Sequence, residues 1–363
     1  MKNRLNKEKL KEYWIKRNEQ MFLQGEKDIL EFAKDLEKQY NLAIRSIEDE
    51  IYKFYGKYAT ENKMSMTELR KLLDREELKS FKESINDIAD YVKHHKLDKN
   101  YGKQLKLLRL KSKVSRLEEL KTKIQFEIEK LNNNVENALE SELSKVYEDS
   151  YYKTIFNQQQ LLGFSDSFAM LGINAIKKAV QTTYMADNYS KVLWRNKEQL
   201  LNILNQQIPQ GIILGYNPKK VASIASKQLG AKYKSAVRLI RTEYNLILND
   251  AAAKGYKESN IERYEILATL DSRTSDICRE MDGEIMELSK KEVGVNYPPF
   301  HPNCRTTTIP YFEPDEFDVE IDRYIKDENG IKYKINSELQ YKEWKNALKI
   351  DKNGKNIYEN DVF

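Results

Sequence analysis

The sequence predicts a mainly α protein: a long N-terminal helical hairpin or coiled-coil region (residues 1–162), then a small α+β domain (163–312) and a short acidic extension (313–363). Three observations carry this. All seven prolines lie at or after Pro209 and glycine is scarce before it, so the strongest helix breakers are missing from the first half. Apolar residues there recur at three-and-four spacing. Past Gly255 the texture changes to short β-like pieces separated by turn residues.

The first stripe runs through Ile29, Phe32, Ala33, Leu36, Tyr40, Ala43, Ile44, Ile47, Ile51, Phe54, Tyr55 and Tyr58, one face of one helix. A second runs from Leu117 through Leu120, Ile124, Ile128, Leu131, Val135, Leu139 and Leu143 to Val146. It lies in a segment from Lys103 to Leu162 without glycine or proline, where only the Asn132-Asn133-Asn134 run offers an interruption. Two or three apolar positions per heptad, flanked by Glu and Lys, suit antiparallel packing in a hairpin, a coiled coil or a self-contained bundle. The stretch from Gly163 to Gly172 reads as a bend, and helices are expected from Ala175 to Gln207. Ile208 to Pro218 reads as a turn-rich crossing, followed by a helix to Leu229 and another from Lys232 to Lys254. Strands are expected at Tyr264–Leu270, Glu284–Leu288, Thr306–Phe312 and Ile331–Ile335, with Asp282-Gly283 and Asn329-Gly330 turning into the second and fourth. Tyr341–Leu348 closes the chain as a helix.

At 363 residues the chain is long enough for two or three folding units. Its 40% hydrophobic and 33% charged residues describe a soluble globular protein. There is no apolar run of about 18 residues, and the lysine-rich start Met1 to Lys11 lacks a signal peptide's apolar core, so assembly in a cytoplasm is expected. The net charge of +5 is small, but it is unevenly spread: Lys93 to Lys123 holds eleven basic against three acidic residues, and Glu313 to Glu328 eight acidic against two basic. The basic band is a candidate for non-specific contact with double-stranded DNA through Lys103, Lys106, Arg109 and Lys111. His94 and His95, in the same band, read as surface residues.

Chemistry-bearing residues concentrate in Thr269 to Cys278, then Met281-Asp282-Gly283, then Tyr297 to Arg305. Asp271 or Ser272 is expected to cap a short helix through Met281, and the prolines Pro298, Pro299 and Pro302 to hold an extended loop that pins His301 and Cys304 beside it. Cys278, His301 and Cys304 approach a zinc set, with Asp271 or Asp276 as a fourth ligand. Three states remain open: zinc, a Cys278–Cys304 disulfide, or packed thiols with His301 bonded to backbone, the last being favoured and no cofactor then being needed. Arg241 is expected to lock helix to loop through a bidentate pair with Asp271, with Glu243 beside it as a charged or solvated position.

These elements resemble the signature of the Mu F-like phage head-morphogenesis family. The residues that carry the resemblance are Arg241-Thr242-Glu243, then Asp271, Arg273, Thr274 and Cys278, the Asp282-Gly283 turn, and His301-Pro302-Asn303-Cys304-Arg305, with the Gly211 to Gly215 crossing upstream. Together they cover Leu201 to Pro310. Members often carry a further cysteine in each element, where this chain has Ser275 and Thr306. The resemblance implies a virion component in the head interior or portal region, with portal and capsid proteins as partners, acting in head assembly, genome packaging or DNA delivery. The competing reading is a metal-dependent nuclease or hydrolase built on Cys278, His301 and Cys304. It is disfavoured because a single histidine must be ligand or base, and because no Walker motif, nucleophile elbow or His-Glu-x-x-His helix occurs. Some relatives end in a toxin domain, and the fifty or so residues after Pro310 read as too short for one.

Overall fold

A computed structural model describes residues 7–58, 64–162, 168–181 and 187–312, together with the backbone of 323–326 and 332–335. Nine helices are described: α1 (Lys7–Tyr58), α2 (Met66–Leu69), α3 (Arg75–His94), α4 (Lys99–Leu110), α5 (Arg116–Leu162), α6 (Ile173–Val180), α7 (Tyr189–Ile213), α8 (Pro218–Glu258) and α9 (Asp276–Met281). The strands are β1 (Arg263–Leu267), β2 (Ile285–Glu287), β3 (Thr307–Tyr311), β4 (Arg323–Lys326) and β5 (Lys332–Ile335). The mainly α class with a small α+β part is thus observed. The expected turn at Asn329-Gly330 and helix at Tyr341–Leu348 lie outside the described residues, as does the first half of the 163–172 bend.

Two compact units emerge, one of residues 31–139 and 190–237, the other of 1–30, 140–189 and 238–363. In the first, α3 and α4 close on Phe81, Ile85, Ile88, Val92, Tyr101 and Leu105. Both apolar stripes are buried as their spacing requires, with Ile47, Ile51 and Leu139 fully enclosed.

Several boundaries differ from the sequence expectation. The Lys103–Leu162 segment is two helices, because residues 111–115 leave the helix to pair with 71–73: Leu73 N donates to Val114 O at 2.8 Å and Arg116 N to Lys71 O at 3.0 Å. Ser115 then restarts the chain in a capping box, its hydroxyl accepting from Glu118 N and its own N–H donating to Glu118 Oε2. The asparagines 132–134 do not interrupt α5. The crossing expected from Ile208 is helix as far as Ile213, with Pro209 inside α7. Burial of Leu204, Ile208 and Ile212 on one face outweighs the proline's lost hydrogen bond. For the same reason α8 runs on through Gly230, with Leu229, Ala236 and Ile240 buried on either side, instead of breaking there.

In the second unit the sheet has the order β2-β1-β3, antiparallel throughout, with Ile266 opposite Thr308 and Tyr264 opposite both Met286 and Pro310. Pro310 is tolerated because β3 is an edge strand with one partner. The first turns of α1 lie against β3. Asn18 Nδ2 donates to Thr308 O at 2.9 Å, Thr307 Oγ1 donates to Asn18 Oδ1 at 2.8 Å, Trp14 stacks on Phe312, and Lys11 pairs with Glu265. Gly25 on α1 is required by the close approach of Tyr244, whose ring lies 2.8 Å from where a Cβ would stand.

Candidate functional site

The C-terminal part of α8 carries the loop cluster on polar latches. Asn245 Nδ2 donates to Thr306 O at 2.9 Å, and Asn249 Nδ2 reaches the same carbonyl at 3.3 Å. Tyr256 Oη donates to Thr308 O at 2.8 Å, and Tyr297 Oη to Asn249 O at 2.7 Å. Every one of these donors is buried, so each bond replaces solvent that cannot reach the group. Spacing on α8 offers i, i+4 asparagines at 245 and 249, a signal that sequence reasoning passed over.

Asp271 organises the first loop. Its Oδ1 accepts from Arg273 N at 2.8 Å, while Thr274 Oγ1 donates to Thr269 O at 2.6 Å. The expected Arg241–Asp271 lock is not formed. Arg305 holds Asp271 instead, Nη1 to Oδ2 at 2.6 Å and Nη2 to Oδ1 at 2.5 Å, and these bonds keep the carboxyl well below the usual carboxylate range. Thr269 Oγ1 donates to Arg305 O, which brings the arginine beside the turn, whereas Arg241 pairs with Glu26 on α1 at 3.4 Å. Of the Arg241-Thr242-Glu243 triplet it is Thr242 that meets the loop, its Oγ1 accepting from Asn303 N at 3.1 Å. Glu243 is 2% exposed, and its Oε2 has no hydrogen-bond partner among the described residues. Burial pushes its carboxyl up to about 7.

Neither Asp271 nor Ser272 caps the short helix. Ser275 does, its Oγ accepting from Cys278 N at 3.4 Å, because α9 begins only at Asp276 and the Asp271 carboxylate is committed to the turn before it. Beyond α9, Asp282 Oδ1 accepts from Ala268 N at 2.8 Å, and Gly283, at φ +81°, turns the chain toward β2. In the second loop Asn303 adopts φ +62°, a left-handed geometry that asparagine tolerates, and this turn aims Cys304 back at α9.

The result is a three-residue cluster. Cys278 Sγ lies 3.2 Å from His301 Nε2 and 3.7 Å from Cys304 Sγ, and both thiols are free and buried. Ser275 Oγ is 2.8 Å from the same Nε2. His301 Nδ1 lies 2.9 Å from Pro302 O, and since a carbonyl only accepts, Nδ1 carries the proton and Nε2 turns its lone pair into the cluster. Contact with the Cys304 thiol holds Cys278 below the ordinary thiol range, while that neighbour and burial push Cys304 up. The aspartates expected as a fourth ligand are elsewhere: Asp271 is taken by Arg305, and Asp276 is exposed and paired with Arg279 at 3.0 Å. The candidate DNA-contacting residues Lys103, Lys106, Arg109 and Lys111 are all exposed at α4, with Lys111 paired to Glu118 at 2.8 Å. His94 and His95 are exposed as expected, His95 stacked on Tyr91.

A small antiparallel sheet, latched to the end of a long helix and edged by a Cys-His-Cys loop cluster, is the class of unit these residues build. Residues 202–309 match the family described as Phage Mu protein F like protein. The chain is 25% identical over 263 residues to the minor head protein GP7 of Bacillus phage SPP1, an alignment covering 67% of this chain and 82% of that protein. It is 24% identical over 211 residues to an NAD(+)–arginine ADP-ribosyltransferase EFV of Enterococcus faecalis, covering 54% of this chain and 43% of the relative. An uncharacterized protein of Haemophilus influenzae is 26% identical over 121 residues, which is 33% of this chain and 27% of that one. The chain therefore spans less than two thirds of the enterococcal and Haemophilus relatives. No solved structure matches it.

Proposed function

We propose that this protein is a minor component of a phage head, acting with portal and capsid proteins in head assembly, genome packaging or DNA delivery, and that its role is structural. The observation that carries the reading is the similarity to the SPP1 minor head protein, which extends over most of both chains. Similarity to the enterococcal transferase covers under half of that relative, so its named activity is a weaker guide. His301 has Nδ1 tied to a backbone carbonyl and Nε2 turned into the buried thiol cluster, so in this reading the ring ties the two loops together. No helix among the described residues is long and apolar enough to cross a membrane. The exposed Lys103, Lys106 and Arg109 supply a sequence-independent contact for DNA in this proposal.

Heads assembled with and without the protein test the reading. The protein is expected in purified heads, and its omission to lower their DNA content or infectivity. Heads of normal infectivity without it would sink the proposal, as would a metal-dependent nuclease activity that His301→Ala abolishes in a folded chain. In the DNA arm, substituting Lys103, Lys106, Arg109 and Lys111 with glutamine is expected to flatten the salt dependence of binding.

A further inference from the structure

We infer that Cys278, His301 and Cys304 bind one zinc ion, with the fourth coordination position left to solvent beside Ser275. This inference stands on the geometry of the loops and does not depend on the assembly role. Tetrahedral zinc with bonds of about 2.3 Å to sulfur and about 2.0 Å to nitrogen sets two thiolates about 3.8 Å apart and a thiolate and an imidazole about 3.5 Å apart. The chain holds its sulfurs 3.7 Å apart and Cys278 Sγ 3.2 Å from His301 Nε2, and all three ligand atoms fall within 4.8 Å of one another. They converge on one point from two separate loops, each fixed by its own bonds: Ser275 capping α9 on one side, Asn303 and the Thr306 latches on the other.

The imidazole is set for ligation. Its Nδ1–H donates to Pro302 O, the backbone arrangement that orients metal-bound histidines and fixes the donating nitrogen. Nε2 has a single lone pair but two neighbours, Ser275 Oγ at 2.8 Å and Cys278 Sγ at 3.2 Å. Among packed thiols that lone pair serves one donor at a time, whereas a metal takes it in one bond and binds both sulfurs as thiolates. Two buried sulfurs and one half-buried imidazole nitrogen select a borderline-soft tetrahedral ion, which favours zinc over the hard oxygen-seeking cations. The ion would fasten α9 to the 298–306 loop. Ser275 stands at the rim, near enough to hydrogen-bond a bound water and one substitution away from a fourth thiolate.

The test is metal analysis of the full chain purified without chelators. One equivalent of zinc is expected, and Cys278→Ser or Cys304→Ser should lose it, with helical circular dichroism as the check on folding. Ser275→Cys should keep one equivalent and hold it at least about tenfold more tightly against a competing chelator. Cobalt titration of chelator-treated wild-type chain gives an independent readout without any variant: thiolate-to-cobalt charge transfer and the visible bands of a tetrahedral site are expected. Sub-stoichiometric metal with no cobalt spectrum would overturn the inference in favour of packed thiols. Recovery of a Cys278–Cys304 disulfide from protein handled without oxygen would overturn it equally.

Discussion

In the unit of residues 31–139 and 190–237, α3 and α4 close on Phe81, Ile85, Ile88, Val92 and Leu105, side chains that offer no hydrogen bond. In the unit that carries the sheet, comparable burial is reached by Tyr256, Tyr297, Asn245 and Asn249, each of which spends its polar tip on a named backbone carbonyl. The first kind of core is stabilised by area removed from water and is indifferent to direction, so periodicity alone specifies it. The second is directional: each latch needs one carbonyl in one place, and an unmade bond leaves a buried polar group without solvent. A site that must set three ligand atoms within a few ångströms belongs on the directional scaffold, since apolar packing by itself tolerates slides that would scatter them.

Three substitutions break or sharpen this contrast. Phe81→Ala should cost about 3–5 kcal/mol by leaving a cavity, and hydrogen exchange should locate the loss in α3 and α4. Loss spread evenly over the sheet as well would argue against a core that acts locally. Glu243→Gln probes a carboxyl in the sheet-bearing unit whose burial opposes its charge. Because the folded carboxyl is raised from 4.5 to about 7, its proton is held more tightly in the folded state. Stability is therefore fully present below the ordinary carboxylate value and is lost as pH rises through about 7. The glutamine variant should be more stable at pH 8 by up to about 3 kcal/mol and nearly equal to the parent at about pH 4, as read by denaturant unfolding. Equal gaps at both pH values would rule out titration of Glu243 as the cause. The smallest effect is expected from Asn245→Ala, about 1 kcal/mol, since Asn249 still reaches Thr306 O. That variant should loosen the 303–306 loop and reduce protection of the Cys304 thiol from alkylation while leaving α3 and α4 unchanged. Unaltered thiol reactivity would mean the latch does not position the cluster.

Much of the candidate site was legible because its members lie close along the chain. Asp282-Gly283 is a turn at any tertiary setting, and prolines around His301 constrain the loop that carries it and Cys304. The Ser115 capping box and the Ser275 cap were equally local and equally readable, yet the absence of glycine and proline from Lys103 to Leu162 masked the first, and the nearby Asp271 the second. Partner choice was another matter. Arg241 and Arg305 are both competent to hold Asp271, but Thr269 bonds the Arg305 backbone beside the turn while Arg241 pairs with Glu26.

The sequence by itself determined most of the long helices and the three short strands of the sheet, because spacing, turn residues and caps act within a few residues of chain. Tertiary structure alone decided that α7 passes through Pro209 and α8 through Gly230, that Glu243 is buried with no partner for Oε2 among the described residues, and that Lys11 meets β1 254 residues later and Asn18 meets β3 290 residues later. Burial of a whole helix face outweighs one residue's propensity, and which face meets which strand depends on contacts that no local pattern encodes.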